Sequence, residues 1–209
     1  ITEAGLHHQV CITLMDLPEE CEHAHTAEFY LHRLKTILDS GLPYDSICFK
    51  DVSGTANPQK VYDTFVGARK LLGDDALLWY HTHDTAGVGV SCYLGAIEGG
   101  ATKNDNFGID LAKSPVCGGT SQPDIISMWH ALKGMEWTID VDIMKIVEAE
   151  KVFEEIKIEL WTEAQKLTNV AKEIASKVNS QESKEEREKV LNLAKEAARN
   201  AGLQGAIAA

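Results

Sequence analysis

Residues 80–87 read YHTHDTAG, with two histidines one residue apart at the end of an apolar run. Residues i and i+2 of a β-strand share a face, so His81 and His83 project to the same side and can supply two imidazole nitrogens to one cation. The other reading of these residues is a polar turn at a strand end, with Asp84 capping the helix that follows. A lysine, Lys50, ends the preceding apolar run, YDSICFKD. A cationic amine beside a divalent metal is repelled unless neutralised. An amine that has captured CO2 becomes a carbamate, an anionic oxygen ligand, and a metal stabilises that adduct. The alternative for Lys50 is an ion pair with a nearby acid such as Asp51. A second group, CEHAHT with Cys21, His23 and His25, has ligand-type residues, but it lies in a loop without further partners and reads as a polar surface turn.

Four apolar, β-rich runs must position these side chains: QVCITLMD, YDSICFKD, ALLWYHTH and FGIDLAKS. Each is followed by a helical stretch: TAEFYLHRLKTILDSG, NPQKVYDTFVGARKLLG, GVSCYLGAIEGG and QPDIISMWHALKG. Continuous apolar runs of this kind mark parallel strands buried on both faces, and each helix ends near a glycine. The strand-to-strand period of about 30 residues is that of an eight-stranded β/α barrel. The expected fold is therefore α/β, a parallel (βα)4 half of a TIM barrel over residues 1–140. Such a half leaves unpaired edges, so its complement must come from a missing N-terminal half-barrel or from a second copy, which implies a homo-oligomer. A flat doubly wound sheet is the competing architecture, although no GxGxxG follows the first strand. Barrel enzymes place catalysis at strand C-termini. Here those ends carry Thr13 and Asp16, Lys50 and Asp51, His81 and His83, and Asp110 followed by the 118–123 loop.

After about residue 140 glycine and proline vanish and apolar residues recur at Phe153, Ile156, Leu160, Ala164, Leu167, Ala171, Ile174 and Val178. This is a heptad-like seam on one long helix. A second helix, with Val190, Ala194, Ala197 and Ala201 on its stripe and Gly202 as its stop, completes an α-helical hairpin over 141–209, a separate or engineered module.

Thirty-two acidic against twenty basic residues give a formal charge of −12, and there is no Lys/Arg-rich block, so nucleic acid and anionic membranes are not expected partners. No stretch has the roughly 18 to 20 apolar residues of a membrane span, and no signal-peptide pattern opens the sequence. Five cysteines without CxxC pairing fit reduced, cytoplasmic thiols.

The segments CFKDVSGTANPQK, YHTHDTAG, AIEGGA and GGTSQPD together resemble the carboxyltransferase TIM barrel of biotin-dependent enzymes: pyruvate carboxylase, the oxaloacetate decarboxylase α subunit and the transcarboxylase large subunit. The resemblance covers residues 8–157 and corresponds to strands five to eight. It implies that Lys50 is the carboxylated lysine and that His81 and His83 ligate zinc, manganese or cobalt. It also implies that Thr120, in GTSQP, moves a proton between biotin and the enol of pyruvate. The reaction so implied is carboxyl transfer between carboxybiotin and pyruvate, run toward oxaloacetate or as its decarboxylation, with the metal stabilising developing negative charge. The family's fourth ligand, an aspartate on the first barrel strand, and its pyruvate-binding arginine and glutamine would precede Ile1. No Met-Lys-Met type segment is present, so biotin arrives on a carrier domain or subunit. The related acyl-CoA metallolyases and synthases share the HxH strand but lack the lysine and the TSQP loop; Lys50 and Thr120 favour carboxyl transfer. An inactive scaffold that assembles by half-barrel pairing is the non-enzymatic alternative.

Overall fold

The structure, a computed structural model, describes residues 1–16, 25–113 and 121–180 together with positions 188, 189, 192, 193 and 196. Four strands alternate with helices: β1 (Gln9–Thr13), α1 (Ala27–Asp39), β2 (Ser46–Asp51), α2 (Pro58–Leu72), β3 (Leu78–Thr82), α3 (Gly89–Gly100), β4 (Phe107–Ile109) and α4 (Ile125–Ala131). The long α5 (Ile143–Ser180) follows.

Local chemistry explains where the helices begin. Thr26 accepts from the Phe29 amide at 3.2 Å, Asn57 from that of Lys60 at 2.8 Å ahead of Pro58, and Asp124 from that of Ser127 at 2.8 Å. Each side chain thus satisfies an amide that has no partner inside the helix. Gly73 ends α2 at φ 78°, a left-handed conformation that favours glycine.

The strands form one parallel sheet in the order β1-β2-β3-β4. Strand alternation divides their side chains between two faces. Ile12, Leu14, Ile47, Phe49, Leu78 and Tyr80 point to one face and join Tyr30 and Leu34 of α1, Val61 and Phe65 of α2, Tyr93 and Ile97 of α3, and Met128 of α4 in a single core. Phe65 centres this core, with edge-on contacts to Phe49, Tyr80 and Phe107 at ring separations of 5.2, 5.4 and 5.5 Å. Gln9, Cys11, Thr13, Ser46, Cys48, Lys50, Trp79, His81 and Gly108 share the other face, and none of them belongs to that helix-side cluster, although Ser46 and Cys48 are buried. Helices that pack on one face only, with strands in sequential order, are the geometry of a barrel wall; a doubly wound sheet has helices on both faces and a reversal of strand order.

Two sequence-based expectations need correction. Burial of the strands on both faces does not extend to β1: Gln9, Cys11 and Thr13 are exposed, because no helix covers that side. The fourth strand is also shorter than the FGIDLAKS run: its ladder ends at Ile109, and Ala112 instead bridges to Asp124.

The chain divides into two units, Ile1–Glu150 and Lys151–Ala209. In the second unit Phe153, Ile156, Leu160 and Leu167 of α5 are all exposed. The hairpin's second stripe, Val190 to Ala201, and its Gly202 stop lie outside the described residues. Among those described, no helix is long and apolar enough to cross a membrane. Cys11, Cys48 and Cys92 are free thiols, whereas Cys21 and Cys117 fall outside the described residues.

Candidate active site

Register brings the predicted residues together. Thr13 pairs with Lys50, and Lys50 pairs with His81, so the three form one row across the uncovered face at the C-terminal ends of β1, β2 and β3. The last ladder pair between β3 and β4 is Tyr80 with Ile109, which sets Asp110 beside His81. His81 Nδ1 lies 2.7 Å from Asp110 Oδ2, and its Nε2 lies 3.2 Å from His83 Nε2. The His81 side chain is only 14% exposed. A carboxylate only accepts, so Nδ1–H donates to Asp110, and in the neutral imidazole Nε2 is then left with a lone pair. The contact between the two Nε2 atoms then places the His83 Nε2–H on His81. Once that proton moves to Nδ1 of His83, two bare nitrogens face one point.

This donor set fits a divalent cation: two neutral imidazoles converge, with a lysine in register beside them. Among the described residues no three His, Cys, Asp or Glu side chains cluster as a metal site, so a third donor from this group of residues would be Lys50 itself, as its CO2 adduct. Burial, followed by the adjoining Cys11 thiol, pushes the Cys48 thiol well above its ordinary range; Cys48, one level below Lys50, stays protonated at neutral pH.

The Lys50–Asp51 ion pair does not form. Neighbours along a strand point to opposite faces, and the Asp51 carboxylate is fully buried on the helix side. There Oδ1 accepts from the Ser53 amide (3.1 Å), the Ser53 hydroxyl (2.6 Å) and the Gly54 amide (2.9 Å), and Oδ2 from the Ala56 amide (2.8 Å) and the Thr82 hydroxyl (3.3 Å). This cradle folds the β2–α2 loop tightly. Gly54, at φ 65°, lies so close to the His83 carbonyl that a Cβ would collide with it, and its own carbonyl accepts from Ala86. The loop after Lys50 and the loop after His83 are thereby locked together.

Ser121, ahead of α4, is anchored to the same place. Asp84 N–H donates to the Ser121 carbonyl at 2.9 Å, next in sequence to Thr120. The Ala112 amide donates to the Pro123 carbonyl at 3.1 Å and the Ala112 carbonyl accepts from the Ile125 amide at 3.0 Å, while Lys113 pairs with Asp124 at 2.8 Å and with Glu150 at 2.8 Å. Thr120 itself lies outside the described residues, as do Cys21 and His23. His25 is described and contacts the Tyr30 hydroxyl at 3.1 Å, away from the row. Asp16 engages Lys60 and Asn57 at the start of α2. Asp84 does bond the first amide of α3, Gly89, at 2.8 Å, so the capping role holds alongside the geometry of the two histidines. A groove of about 320 Å³ lies along β4, lined by Phe107, Gly108, Leu132 and Trp137 among others, and none of the predicted site residues lines it.

Sequence reasoning gave no role to Asp110, Tyr93 or the Asp51 cradle. Asp110 was legible as a strand end; its pairing with His81 depends on how far β4 runs in register with β3.

Comparison with known proteins bears on what this row of residues does. The chain is 32% identical over 134 residues to a pyruvate carboxylase subunit of Methanocaldococcus jannaschii, covering 64% of this chain and 22% of that protein. It is 27% identical over 159 residues to the methylmalonyl-CoA carboxyltransferase 5S subunit of Propionibacterium freudenreichii, covering 75% of this chain and 29% of that protein. Its homologues are pyruvate carboxylase subunits and a transcarboxylase. The carboxyltransferase fold is matched as well: the carboxyl transferase domain of Rhizobium etli pyruvate carboxylase, solved with pyruvate, superposes with a TM-score of 0.63 at 24% identity, covering 75% of this chain and 25% of that one. No family model matches the chain. The chain spans about a fifth of the length of the first of these carboxylase relatives.

Proposed function

We propose that this chain contributes the strand-end half of a carboxyltransferase site that moves a carboxyl group between carboxybiotin and pyruvate, in the direction of oxaloacetate synthesis or its decarboxylation. The observation that carries this reading is the convergence of His81 Nε2 and His83 Nε2 at 3.2 Å beside Lys50, in a chain whose homologues are pyruvate carboxylases. His81, His83 and Lys50 as its carbamate would hold a divalent metal, zinc, manganese or cobalt, whose contribution is to stabilise the negative charge that develops on the substrate oxygen.

The chain's own residues have distinct tasks in this scheme. In its unprotonated form the Lys50 amine can add CO2: an N–C bond forms, the nitrogen gives up one proton to solvent, and the resulting carbamate puts an anionic oxygen donor where a cation would otherwise stand. The hydroxyl of Thr120 both accepts and donates, so it can take the proton from the pyruvate methyl carbon and return one to the biotin nitrogen as the carboxyl group crosses. The bonds from the Asp84 amide to the Ser121 carbonyl and from the Ala86 amide to the Gly54 carbonyl support this reading, since they tie the segments after Lys50 and after His83 to each other and to Ser121. The biotin comes on a carrier domain or subunit, and the remaining barrel strands come from an N-terminal half-barrel or a second copy that pairs with the open edges of β1 and β4.

The test for this chain is metal content together with carbon NMR after equilibration with isotopically labelled CO2. A carbamate signal that appears with zinc, manganese or cobalt and disappears in Lys50→Ala is the expected result. A metal-loaded sample in which Lys50 carries no CO2 overturns the reading. In oxaloacetate decarboxylation with free biotin, Thr120→Ala is expected to lose roughly 100-fold or more in rate, the range for a positioned proton-transfer group.

A further inference from the structure

We infer that Asp110 is the positioning residue for His81: it holds the imidazole as the Nδ1–H tautomer and so keeps Nε2 unprotonated and aimed at the point shared with His83. This rests on the reading of the two histidines as ligands, yet it makes a claim about the protein before any metal binds.

The geometry is specific. Free neutral imidazole carries its proton on either nitrogen, and which one is set by the hydrogen bond the other makes. Here the Asp110 carboxylate, 2.7 Å from Nδ1, offers only lone pairs, so the proton stays on Nδ1. Asp110 is itself held in place beyond the last rung of the sheet. The Tyr93 hydroxyl donates to the Asp110 backbone carbonyl and accepts from the Thr82 amide at 3.4 Å, bridging the ends of β3 and β4 where the ladder has stopped. Tyr93 is fully buried, edge-on to Tyr80 at 5.5 Å, and that burial pushes its hydroxyl well above the usual phenol range, so it remains a donor throughout the working pH range. The carboxylate is thus placed by a brace from the core, and the imidazole is placed by the carboxylate. A carboxylate behind a ligating histidine fixes ring orientation and raises nitrogen basicity, and its loss typically lowers metal affinity 10–100-fold.

The experiment is long-range nitrogen NMR of the imidazoles in the metal-free chain, for wild type, Asp110→Asn, Asp110→Ala and Tyr93→Phe, together with zinc titrations of each. His81 is expected as the Nδ1–H form in wild type and in Asp110→Asn, which keeps an acceptor oxygen, and as mainly the Nε2–H form in Asp110→Ala. Zinc affinity should fall about 10–100-fold in Asp110→Ala, recover to within a few-fold in Asp110→Asn, and fall by a smaller factor in Tyr93→Phe. A wild-type His81 protonated on Nε2, or an Asp110→Ala variant with unchanged tautomer and zinc affinity, overturns the assignment. The two proposals fail separately. If His81 is the Nδ1–H form in wild type and switches in Asp110→Ala while wild type takes up no zinc, the metal reading falls and the assignment of Asp110 stands.

Discussion

Replacing Asp51 by alanine removes the acceptor for five hydrogen bonds at once. Two of the donors can find new partners: the Ser53 hydroxyl is already 2.7 Å from Thr55 Oγ1, and that of Thr82 is 3.2 Å from the His83 carbonyl. The amides of Gly54 and Ala56 are buried and have nothing to replace the carboxylate, while that of Ser53 is partly buried. At about 1–3 kcal/mol for each buried amide left unpaired, the loss sums to roughly 3–5 kcal/mol, a large fraction of the 5–15 kcal/mol that typically holds a domain together. Asp51→Asn is nearly the same shape. Its oxygen can serve the Ser53 and Gly54 side, but its NH2 then meets the Ala56 amide donor to donor, so about 1–3 kcal/mol is expected. Denaturant unfolding followed by tryptophan fluorescence reads both variants, provided the slope with denaturant is unchanged. Equal losses for alanine and asparagine, or a loss below about 1 kcal/mol for alanine, would refute the argument that the unpaired amides set the cost.

Gly54→Ala adds a Cβ at φ 65° against the His83 carbonyl; we expect a loss of about 2–4 kcal/mol in unfolding experiments and weaker zinc binding, and an unchanged affinity would separate the loop from the histidines. Asp124→Ala removes the α4 cap and the Lys113 pair, for about 1 kcal/mol from the cap and a few tenths from the solvent-screened pair. Burial raises the Asp124 carboxyl, but the bonds from Lys113 and Ser127 outweigh it and hold it below 3.8. Its contribution is therefore complete above that pH and lost as the pH falls through the lower folded value, so wild type and variant should converge only in acid. In α5, Leu160 and Leu167 are 57% and 40% exposed along the seam, and we expect concentration-dependent self-association in sedimentation that Leu160→Glu with Leu167→Glu abolishes without changing the stability of the first unit; a wild type that is monomeric at all concentrations refutes this.

How much of this was legible in the sequence varies with the range of the interaction. The HxH spacing placed His81 and His83 on one face because strand alternation is local, and the same rule puts Lys50 and Asp51 on opposite faces, which the suggested ion pair between them overlooked. The βα periodicity located β1 to β4 and α1 to α4, since apolar runs, caps and glycine stops are local signals. That the helices pack on one face of the sheet only was not legible: Cys48 and Phe49 are both apolar in the sequence and both buried, and only the placement of the helices shows that Phe49 packs against them while Cys48 lies on the opposite face. The Asp110–His81 pair joins residues 29 apart and depends on where the β4 ladder stops, which no local pattern encodes. Thr120, read from the GTSQP motif, falls outside the described residues, and the bond from Asp84 to Ser121 is as near to it as they reach.

Because the packed side chains and the strand-end row occupy opposite faces of the same four strands, the two sets of positions can diverge independently. Substitutions at Thr13 or Trp79 change the face that carries Lys50 and His81 without opening a void among Phe49, Phe65 and Tyr80, so that face can vary while the packed face stays intact. Asp51 is an exception. Its carboxylate sits among the packed residues but shapes the loop behind the reactive row, so a change there would be felt on both sides of the sheet.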